Sequence, residues 1–261
     1  MKVLILCGGR GTRLREETEY RPKPMVPIGG RPILWHIMKY YAHFGHNDFI
    51  ICVGYKGDMI KEFFRNYRWN VCDVTLSLGS ESRVHYHDSH GEEDWQVTLA
   101  ETGLDSGTAH RIKRCARYLS AGEPFLLTYG DGLSSIDISA AIEEHQRERK
   151  LLTLSAVHPA GRFGALAVDV DGRIRTFQEK PQMDADYVNG GFMVVEPAAL
   201  GYFGDDPTMM LERAPLQTLL AADQLHCYRH EGWWQPMDTF QEMQYLNDLW
   251  DSGKAPWKVW S

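Results

Sequence analysis

The chain lacks any long hydrophobic stretch. Its N-terminal apolar run, Val3 to Cys7, follows a single lysine and ends at Gly8 and Gly9, so it is about half as long as the core of an export signal. No run approaches the ~20 residues that a helix needs to cross a bilayer. We therefore expect no membrane partner, and we interpret the N-terminal run as a buried strand.

Paired cysteines are absent too. The five cysteines form an odd set with no C-x-x-C pair and no histidine at the spacing of a zinc site. Such usage is typical of a reducing compartment. It predicts a cytoplasmic protein without disulfides.

The chain also lacks a surplus of basic residues. It has 28 lysines and arginines against 35 aspartates and glutamates, a formal net charge of −7. Proteins that bind nucleic acids need an excess of cations on one face. Composition therefore argues against a nucleic-acid partner, and any phosphate site must be a local group of cations.

No Pro/Ser-rich linker, low-complexity segment or internal repeat divides the 261 residues. We expect one domain over 1–261, made of two halves at 1–150 and 151–261.

The pattern of apolar residues predicts an α/β fold. In the first half, short apolar runs suited to strands covered on both faces alternate with helical periods, as in βαβ units. In the second half strands follow one another, and Asp171-Gly172 is a strong hairpin signal. We expect a Rossmann-like, mixed but mostly parallel sheet, with helices on both faces and antiparallel additions in the C-terminal half. The expected strands are 3–7, 48–53, 125–129, 165–170 and 173–178, and the expected helices are 33–43, 59–67, 109–119, 136–144 and 240–250.

A glycine-rich segment with nearby cations follows the first strand. Glycines between residues 8 and 11 let backbone N–H groups approach phosphate oxygens, while Arg13 and Lys23 add positive charge. A Walker motif is excluded because no Gly-Lys-Ser/Thr follows. The dinucleotide fingerprint fails because Leu14 stands where its third glycine belongs. The segment predicts a phosphate-binding loop, although glycine turns of this kind are often tight connections only.

Two aspartates are candidates for a metal site. Asp131 follows an apolar strand and lies between two glycines, where open α/β sheets place ligand-binding groups. Magnesium prefers a few carboxylates together with phosphate oxygens, so a second aspartate is expected, and Asp238 is the candidate. The alternative for Asp238 is that it caps the helix that begins nearby.

The glycine-rich segment resembles the signature of the sugar-nucleotide pyrophosphorylases, and within that family its cytidylyltransferase branch. The similarity continues through further motifs along nearly the whole chain. They are 32–38 (PILWHIM), 54–57 (GYKG), 128–132 (TYGDG), 161–166 (GRFGAL), 177–181 (FQEKP), 189–192 (NGGF) and 234–239 (WQPMDT).

The resemblance implies transfer of a nucleoside monophosphate from an NTP to a sugar 1-phosphate with release of pyrophosphate, and it favours CTP and glucose 1-phosphate. It implies Mg²⁺ as cofactor and a homo-oligomer, with a nucleotide-binding half at 1–150 and a sugar-phosphate-binding half at 151–261. Catalytic roles are implied for Arg13, Lys23 and Asp131, and metal binding for Asp131 and Asp238. The implied nucleotide-binding residues are Leu6, Gly8, Gly9, Arg10, Gly11, Thr12, Arg13, Lys23, Ser106, Arg111 and Gly130, and the implied substrate-binding residues are Gly164, Glu179, Lys180, Asn189 and Gly190.

The sequence departs from the family pattern before Arg111. Cytidylyltransferases usually have two glycines there, whereas this chain has Ala109 and His110. Because both residues restrict the backbone and add bulk, we expect weaker selectivity for CTP or a different phosphorylated acceptor. An NAD(P)-binding oxidoreductase and a catalytically silent binding protein are the alternatives from other functional classes.

Overall fold

The computed structural model describes residues 1–79, 82–87, 91–92, 94–159, 165–168, 173–178 and 187–260. Its strands are β1 (Val3–Leu6), β2 (Pro27–Ile28), β3 (Arg31–Pro32), β4 (Asp48–Val53), β5 (Val74–Leu78), β6 (Ser82–Tyr86), β7 (Gln96–Glu101), β8 (Phe125–Tyr129), β9 (Gly132–Ser134), β10 (Leu152–Val157), β11 (Ala165–Val168), β12 (Ile174–Gln178), β13 (Val188–Asn189), β14 (Met193–Val195), β15 (Leu225–His230) and β16 (Trp234–Pro236). Its α-helices are α1 (Arg15–Thr18), α2 (Ile33–His43), α3 (Gly57–Arg65), α4 (Tyr67–Val71), α5 (Thr108–Cys115), α6 (Ile138–Glu148), α7 (Ala214–Ala221) and α8 (Phe240–Asp251), and short 3-10 helices lie at Lys23–Met25, Ala116–Tyr118 and Pro197–Tyr202.

The central sheet is mixed and mostly parallel, as the sequence predicts. Strand β1 lies between β4 and β8 and pairs with both in parallel, and β7 continues the parallel run beyond β4. Strand β14 runs antiparallel to β8 and β10, while β15 joins β10 in parallel. The antiparallel strands come from the C-terminal half of the chain, which confirms that part of the prediction.

Both faces of the sheet are covered by apolar side chains. Val3 and Ile5 of β1 belong to one buried cluster, whereas Leu4 and Leu6 belong to another. Successive side chains of a strand point to opposite faces, so the two clusters lie on opposite sides of the sheet. This arrangement explains why β1 reads as a continuous apolar run rather than an alternating one.

Most element predictions are confirmed, with changes at helix ends. The helix expected at 136–144 runs from Ile138 to Glu148. The helix expected at 59–67 ends at Arg65, and α4 starts afresh at Tyr67 after a break at Asn66. The helix expected at 109–119 is α-helical only to Cys115 and then tightens into a 3-10 turn. The two strands of the predicted hairpin pair in antiparallel as β11 and β12, while its turn at Asp171 and Gly172 lies outside the described residues. Among the described residues, no helix has the length and apolar composition that a membrane span requires.

The buried side chain of His36 connects α2 to Trp257 near the C-terminus and to β2. His36 on α2 is fully enclosed, its Nε2 lies 2.8 Å from the carbonyl oxygen of Ile28, and its Nδ1 lies 3.3 Å from the indole Nε1 of Trp257. Since an indole N–H only donates, Nδ1 must accept and the ring must be neutral. Burial lowers the pKa of His36 to about 4, which agrees with a neutral ring at physiological pH.

Candidate active site

The candidate site lies at the carboxyl ends of β1 and β8. These strands are parallel neighbours, so the glycine-rich loop after β1 and the Gly130-Asp131 turn after β8 meet at one edge of the sheet, where open α/β folds bind ligands. A cleft of about 370 Å³ opens there. From the predicted set it is lined by Leu6, Gly8, Gly9, Gly11, Thr12, Arg13, Lys23, Ser106, Arg111, Gly130, Asp131 and Asp238.

Four charged side chains from distant parts of the chain meet in this cleft. The Nζ of Lys23 lies 2.7 Å from Oδ2 of Asp131 and 2.5 Å from Oδ1 of Asp238. The other carboxylate oxygen of Asp238 lies 2.5 Å from Nη1 of Arg13. The structure therefore brings together the residues that the sequence predicted for phosphate and metal chemistry.

Lys23 is largely enclosed by the wall of the cleft. It is only 8% exposed, because the 3-10 turn at Lys23–Met25 directs it inward beneath the glycine-rich loop. Burial acts to lower the pKa of Lys23, but Asp131 and Asp238 outweigh that effect and hold the pKa above its ordinary value. The ammonium is therefore charged, and substitution of Lys23 is expected to affect stability as well as activity.

The capping alternative for Asp238 is not what the structure shows. Thr239 is the N-cap of α8, and its side chain accepts a hydrogen bond from the backbone N–H of Glu242. The Glu242 carboxylate in turn accepts hydrogen bonds from the backbone N–H groups of Thr239 and Asp238. Because Thr239 and Glu242 form the capping box, the carboxylate of Asp238 remains available for the cations in the cleft.

The donor set fits a magnesium ion. Asp131 and Asp238 offer oxygen ligands only, and they flank one point, which the Lys23 ammonium occupies. In the described part of the chain, no group of three or more His, Cys, Asp or Glu side chains has the arrangement of a metal site. Magnesium is commonly held by one or two carboxylates plus substrate phosphates, so a two-aspartate site is sufficient for it.

Arg111 supports the cleft wall from beneath the phosphate loop. Its guanidinium donates to the carbonyl oxygens of Gly8, Gly103 and Leu104 and to the hydroxyl of Thr102, at 2.7–3.1 Å. A Cβ on Gly8 would lie 2.1 Å from Nη1 of this side chain. Gly8 must therefore be glycine for the loop and the guanidinium to pack together.

A further arginine, Arg10, lies on the solvent side of the glycine-rich loop. Nη2 of Arg10 lies 2.8 Å from Oδ1 of Asp105, and both side chains are more than half exposed. Nearby, the hydroxyl of Ser106 donates to the carbonyl of Thr102. Exposed ion pairs contribute little to stability, so Arg10 is free to exchange Asp105 for a ligand phosphate.

Ala109 and His110 do not line the cleft, although they stand directly before Arg111, which does. Both lie in the first turn of α5. Ala109 is fully buried in an apolar cluster, and His110 lies near Asp205 and Asp206. Hydrogen bonds from Lys113 to Asp205 and from Thr208 to Asp206 lower the pKa values of these carboxyls, and His110 lowers both further. The departure from the family pattern therefore places Ala109 in the core and His110 on the outer side of the helix.

The predicted acceptor residues are only partly described. Gly164, Glu179 and Lys180 lie outside the described residues. Asn189 belongs to β13 and accepts a hydrogen bond from the N–H of Gly191, and the carbonyl of Gly190 accepts one from the indole of Trp234 at 2.9 Å.

Sequence reasoning missed three polar residues of the cleft wall. The Glu212 carboxylate accepts hydrogen bonds from the hydroxyls of Tyr129 and Thr108. Burial, followed by the Glu212 charge, raises the pKa of Tyr129, while a hydrogen bond from Asn189 opposes them. Tyr129 could have been noticed because it ends β8 next to Gly130-Asp131; Glu212 lies in an irregular turn and carries no sequence signal.

The comparisons with known proteins agree with this geometry. The sequence model of the nucleotidyl transferase family matches residues 2–237. A glucose-1-phosphate cytidylyltransferase from Salmonella typhi is 50% identical over 260 residues, covering 100% of both chains. A probable glucose-1-phosphate cytidylyltransferase from Bacillus subtilis is 43% identical over the same extent.

Solved structures with low sequence identity share the fold. HddC from Yersinia pseudotuberculosis, complexed with GMP-PN, superposes with a TM-score of 0.68 at 20% identity, covering 95% of this chain and 99% of that one. A UDP-glucose pyrophosphorylase complexed with UDP-glucose gives 0.67 at 17% identity, covering 97% and 98%. The family match over most of the chain excludes the oxidoreductase alternative. The chain belongs to the nucleotidyl transferase family, is similar over its whole length to glucose-1-phosphate cytidylyltransferases, and is a nucleotidyltransferase.

Proposed function

We propose that this protein transfers CMP from CTP to glucose 1-phosphate and releases pyrophosphate. The observation that carries the proposal is the cluster of Lys23, Arg13, Asp131 and Asp238 at the mouth of the glycine-rich loop. Such a cluster supplies cations for phosphates and carboxylates for a metal in one place. The choice of CTP and glucose 1-phosphate is supported by relatives of that name at 50% and 43% identity.

The reaction is an in-line displacement. An oxygen of the sugar phosphate forms a bond to the α-phosphorus of CTP, and the bond from that phosphorus to the bridging oxygen of the β-phosphate breaks. The attacking phosphate is already anionic, so no serine, cysteine or histidine nucleophile is needed. Catalysis rests on alignment and on neutralisation of phosphate charge.

The positions of the cationic residues in the cleft suggest which phosphate group each of them contacts. Lys23, deep in the cleft beside Asp131, is placed to contact the reacting α-phosphate. Arg13 and Arg10 are exposed and border the glycine-rich loop, so they are placed to hold the departing pyrophosphate together with the N–H groups of Gly9 and Gly11. Each of the three cations exchanges an aspartate partner for a phosphate when the nucleotide binds.

Asp131 and Asp238 are the residues that would hold Mg²⁺. A bound magnesium ion supplies positive charge to phosphate oxygens and orients the substrates. Release of Lys23 and Arg13 toward the phosphates frees both carboxylates, so we expect the metal and the nucleotide to promote each other's binding.

The acceptor site is proposed to include Gly164, Glu179, Lys180, Asn189 and Gly190. A carboxylate and an amide suit sugar hydroxyls, and an ammonium suits the acceptor phosphate. We also propose that the enzyme is cytoplasmic and forms a homo-oligomer.

The test is pyrophosphate release from a matrix of four NTPs and several sugar 1-phosphates, with and without Mg²⁺. We expect the highest kcat/KM for CTP with glucose 1-phosphate and no turnover after chelation of the metal. A higher kcat/KM for another pair would contradict the substrate assignment. Absence of turnover with every pair would support the catalytically silent alternative.

A further inference from the structure

One carboxylate in the cleft has no part in the charge cluster. Glu212 is exposed and lines the same cleft. Its Oε1 accepts from the Tyr129 hydroxyl, and its Oε2 accepts from the Thr108 hydroxyl at 2.8 Å. Tyr129 ends β8 and Thr108 begins α5, so Glu212 touches both elements that form this wall.

The backbone that carries Glu212 is held firmly against α5. The N–H of Gly107 donates to the carbonyl of Pro207 at 2.8 Å, and the N–H of Ala109 donates to that of Met209 at 3.1 Å. A Cβ on Gly107 would lie 2.1 Å from the Met209 oxygen. The position of the Glu212 carboxylate is therefore set by the fold rather than by a freely moving loop.

The charge and hydrogen-bonding capacity of Glu212 define what it can bind. An ionised carboxylate has about four acceptor positions, and the two hydroxyls use two of them. Within the described part of the chain, no lysine or arginine forms an ion pair with Glu212. A phosphate would be repelled by this uncompensated negative charge, whereas a hydroxyl group of a substrate would be accepted.

We propose that Glu212 is a specificity-determining residue that accepts hydrogen bonds from a vicinal diol of a bound substrate. This inference rests on the proposed function, which brings two such diols into the cleft, one on the ribose of the nucleotide and one on the pyranose of the acceptor. The hydrogen-bond partners of Glu212 lie beside residues proposed for each substrate. Thr108 lies two residues after Ser106, which is proposed for the nucleotide. Tyr129 contacts Asn189, which is proposed for the acceptor.

The experiment measures selectivity for substrates that lack single hydroxyls. kcat/KM is determined for CTP against its 2′-deoxy and 3′-deoxy analogues, and for glucose 1-phosphate against its 2-, 3- and 4-deoxy analogues. Wild type is expected to discriminate against at least one analogue by ~10-fold or more, as for a hydrogen bond to a charged group. In Glu212→Gln that discrimination should fall several-fold. A change in the CTP series assigns the ribose, and a change in the glucose series assigns the pyranose.

Two further variants separate recognition from support of the wall. Asp205→Asn changes another carboxylate of the same segment, one paired with Lys113 on the outer side, and should leave every ratio unchanged. Thr108→Val removes one hydrogen bond to Glu212 and the one that its hydroxyl accepts from the backbone N–H of Leu211, and should lower Tm while the discrimination persists. Equal loss of discrimination in Thr108→Val and Glu212→Gln would reduce Glu212 to a structural contact and overturn the proposal.

Calorimetric Kd values for the same analogues make the inference independent of turnover. If wild type binds the substrates but releases no pyrophosphate, the proposed function fails while the Glu212 assignment is still tested by the Kd ratios. Identical Kd and kcat/KM ratios in wild type and Glu212→Gln would overturn the assignment and leave the proposed function standing.

Discussion

Replacing Lys23 with alanine removes the centre of the charge cluster. Asp131 and Asp238 would then face one another without the ammonium that lies between them at 2.7 and 2.5 Å. Breaking a buried ion pair by removing one partner costs about 3–5 kcal/mol. Asp131 is 33% exposed and Asp238 keeps Arg13, so we expect a smaller loss, of about 1–3 kcal/mol.

A loss of this size has a measurable thermal signature. For a chain of this length 1 kcal/mol corresponds to about 2–4 °C in Tm, so Lys23→Ala should melt several degrees below wild type. Magnesium should raise the Tm of the variant more than that of wild type, because its ligands no longer have Lys23 as a competitor and binding to the folded state stabilises it. Turnover should fall by about 10²–10³, the effect of removing one group that stabilises transition-state charge.

The assays are thermal unfolding with and without Mg²⁺ and pyrophosphate release at saturating substrates. Lys39→Ala is the matched control, since Lys39 is also largely buried and pairs with Glu92 at 3.0 Å outside the cleft. The control should lose stability but retain kcat and show no extra magnesium effect. Wild-type Tm and turnover in Lys23→Ala would refute both the charge argument and the role of Lys23.

Three further predictions concern the loop, the acceptor site and pH. Gly8→Ala should raise the KM for CTP at least several-fold by displacing the Arg111 guanidinium, whereas Gly201→Ala, which lies outside the cleft and whose Cβ would meet no atom within 4 Å, should not; equal KM values would contradict the packing argument. Glu179→Ala should raise the KM for the sugar phosphate far more than that for CTP, and equal effects would remove Glu179 from the acceptor site. Because burial lowers the folded pKa of His36 to about 4 from an unfolded value near 6.5, its neutral form contributes stability that is fully present above about pH 6.5. That stability is lost as the pH falls toward 4. Between pH 6.5 and 4 the Tm of His36→Gln should therefore decline less steeply than the Tm of wild type. Equal slopes of Tm against pH in the two proteins would contradict the role of His36.

Much of the sheet is predictable because its strands are buried on both faces. The strand at 48–53 and the helix at 33–43 match the structure residue for residue. Errors occur where tertiary packing or a single capping residue decides an end, as at Asn66 and Cys115. Local patterns contain no information about those choices.

The four residues of the charge cluster could be predicted from the sequence, but the contacts among them could not. Arg13 and Lys23 could be found from the sequence because they are cations near the glycine-rich segment. Asp131 follows an apolar strand, and Asp238 lies in the motif at 234–239. Their mutual pairing, and the burial of Lys23, depend on segments more than 200 residues apart along the chain meeting at one sheet edge.

The sequence by itself determined the α/β architecture and brought out the residues proposed for phosphate chemistry, because apolar periodicity and glycine-cation motifs act locally. Only the tertiary structure decided that Thr239 rather than Asp238 caps α8, that Arg111 supports the phosphate loop from beneath, and that Glu212 enters the cleft. These outcomes depend on which distant side chains share a hydrogen bond. Such partnerships arise from the packing of β1, β8 and α5 against the later segments of the chain.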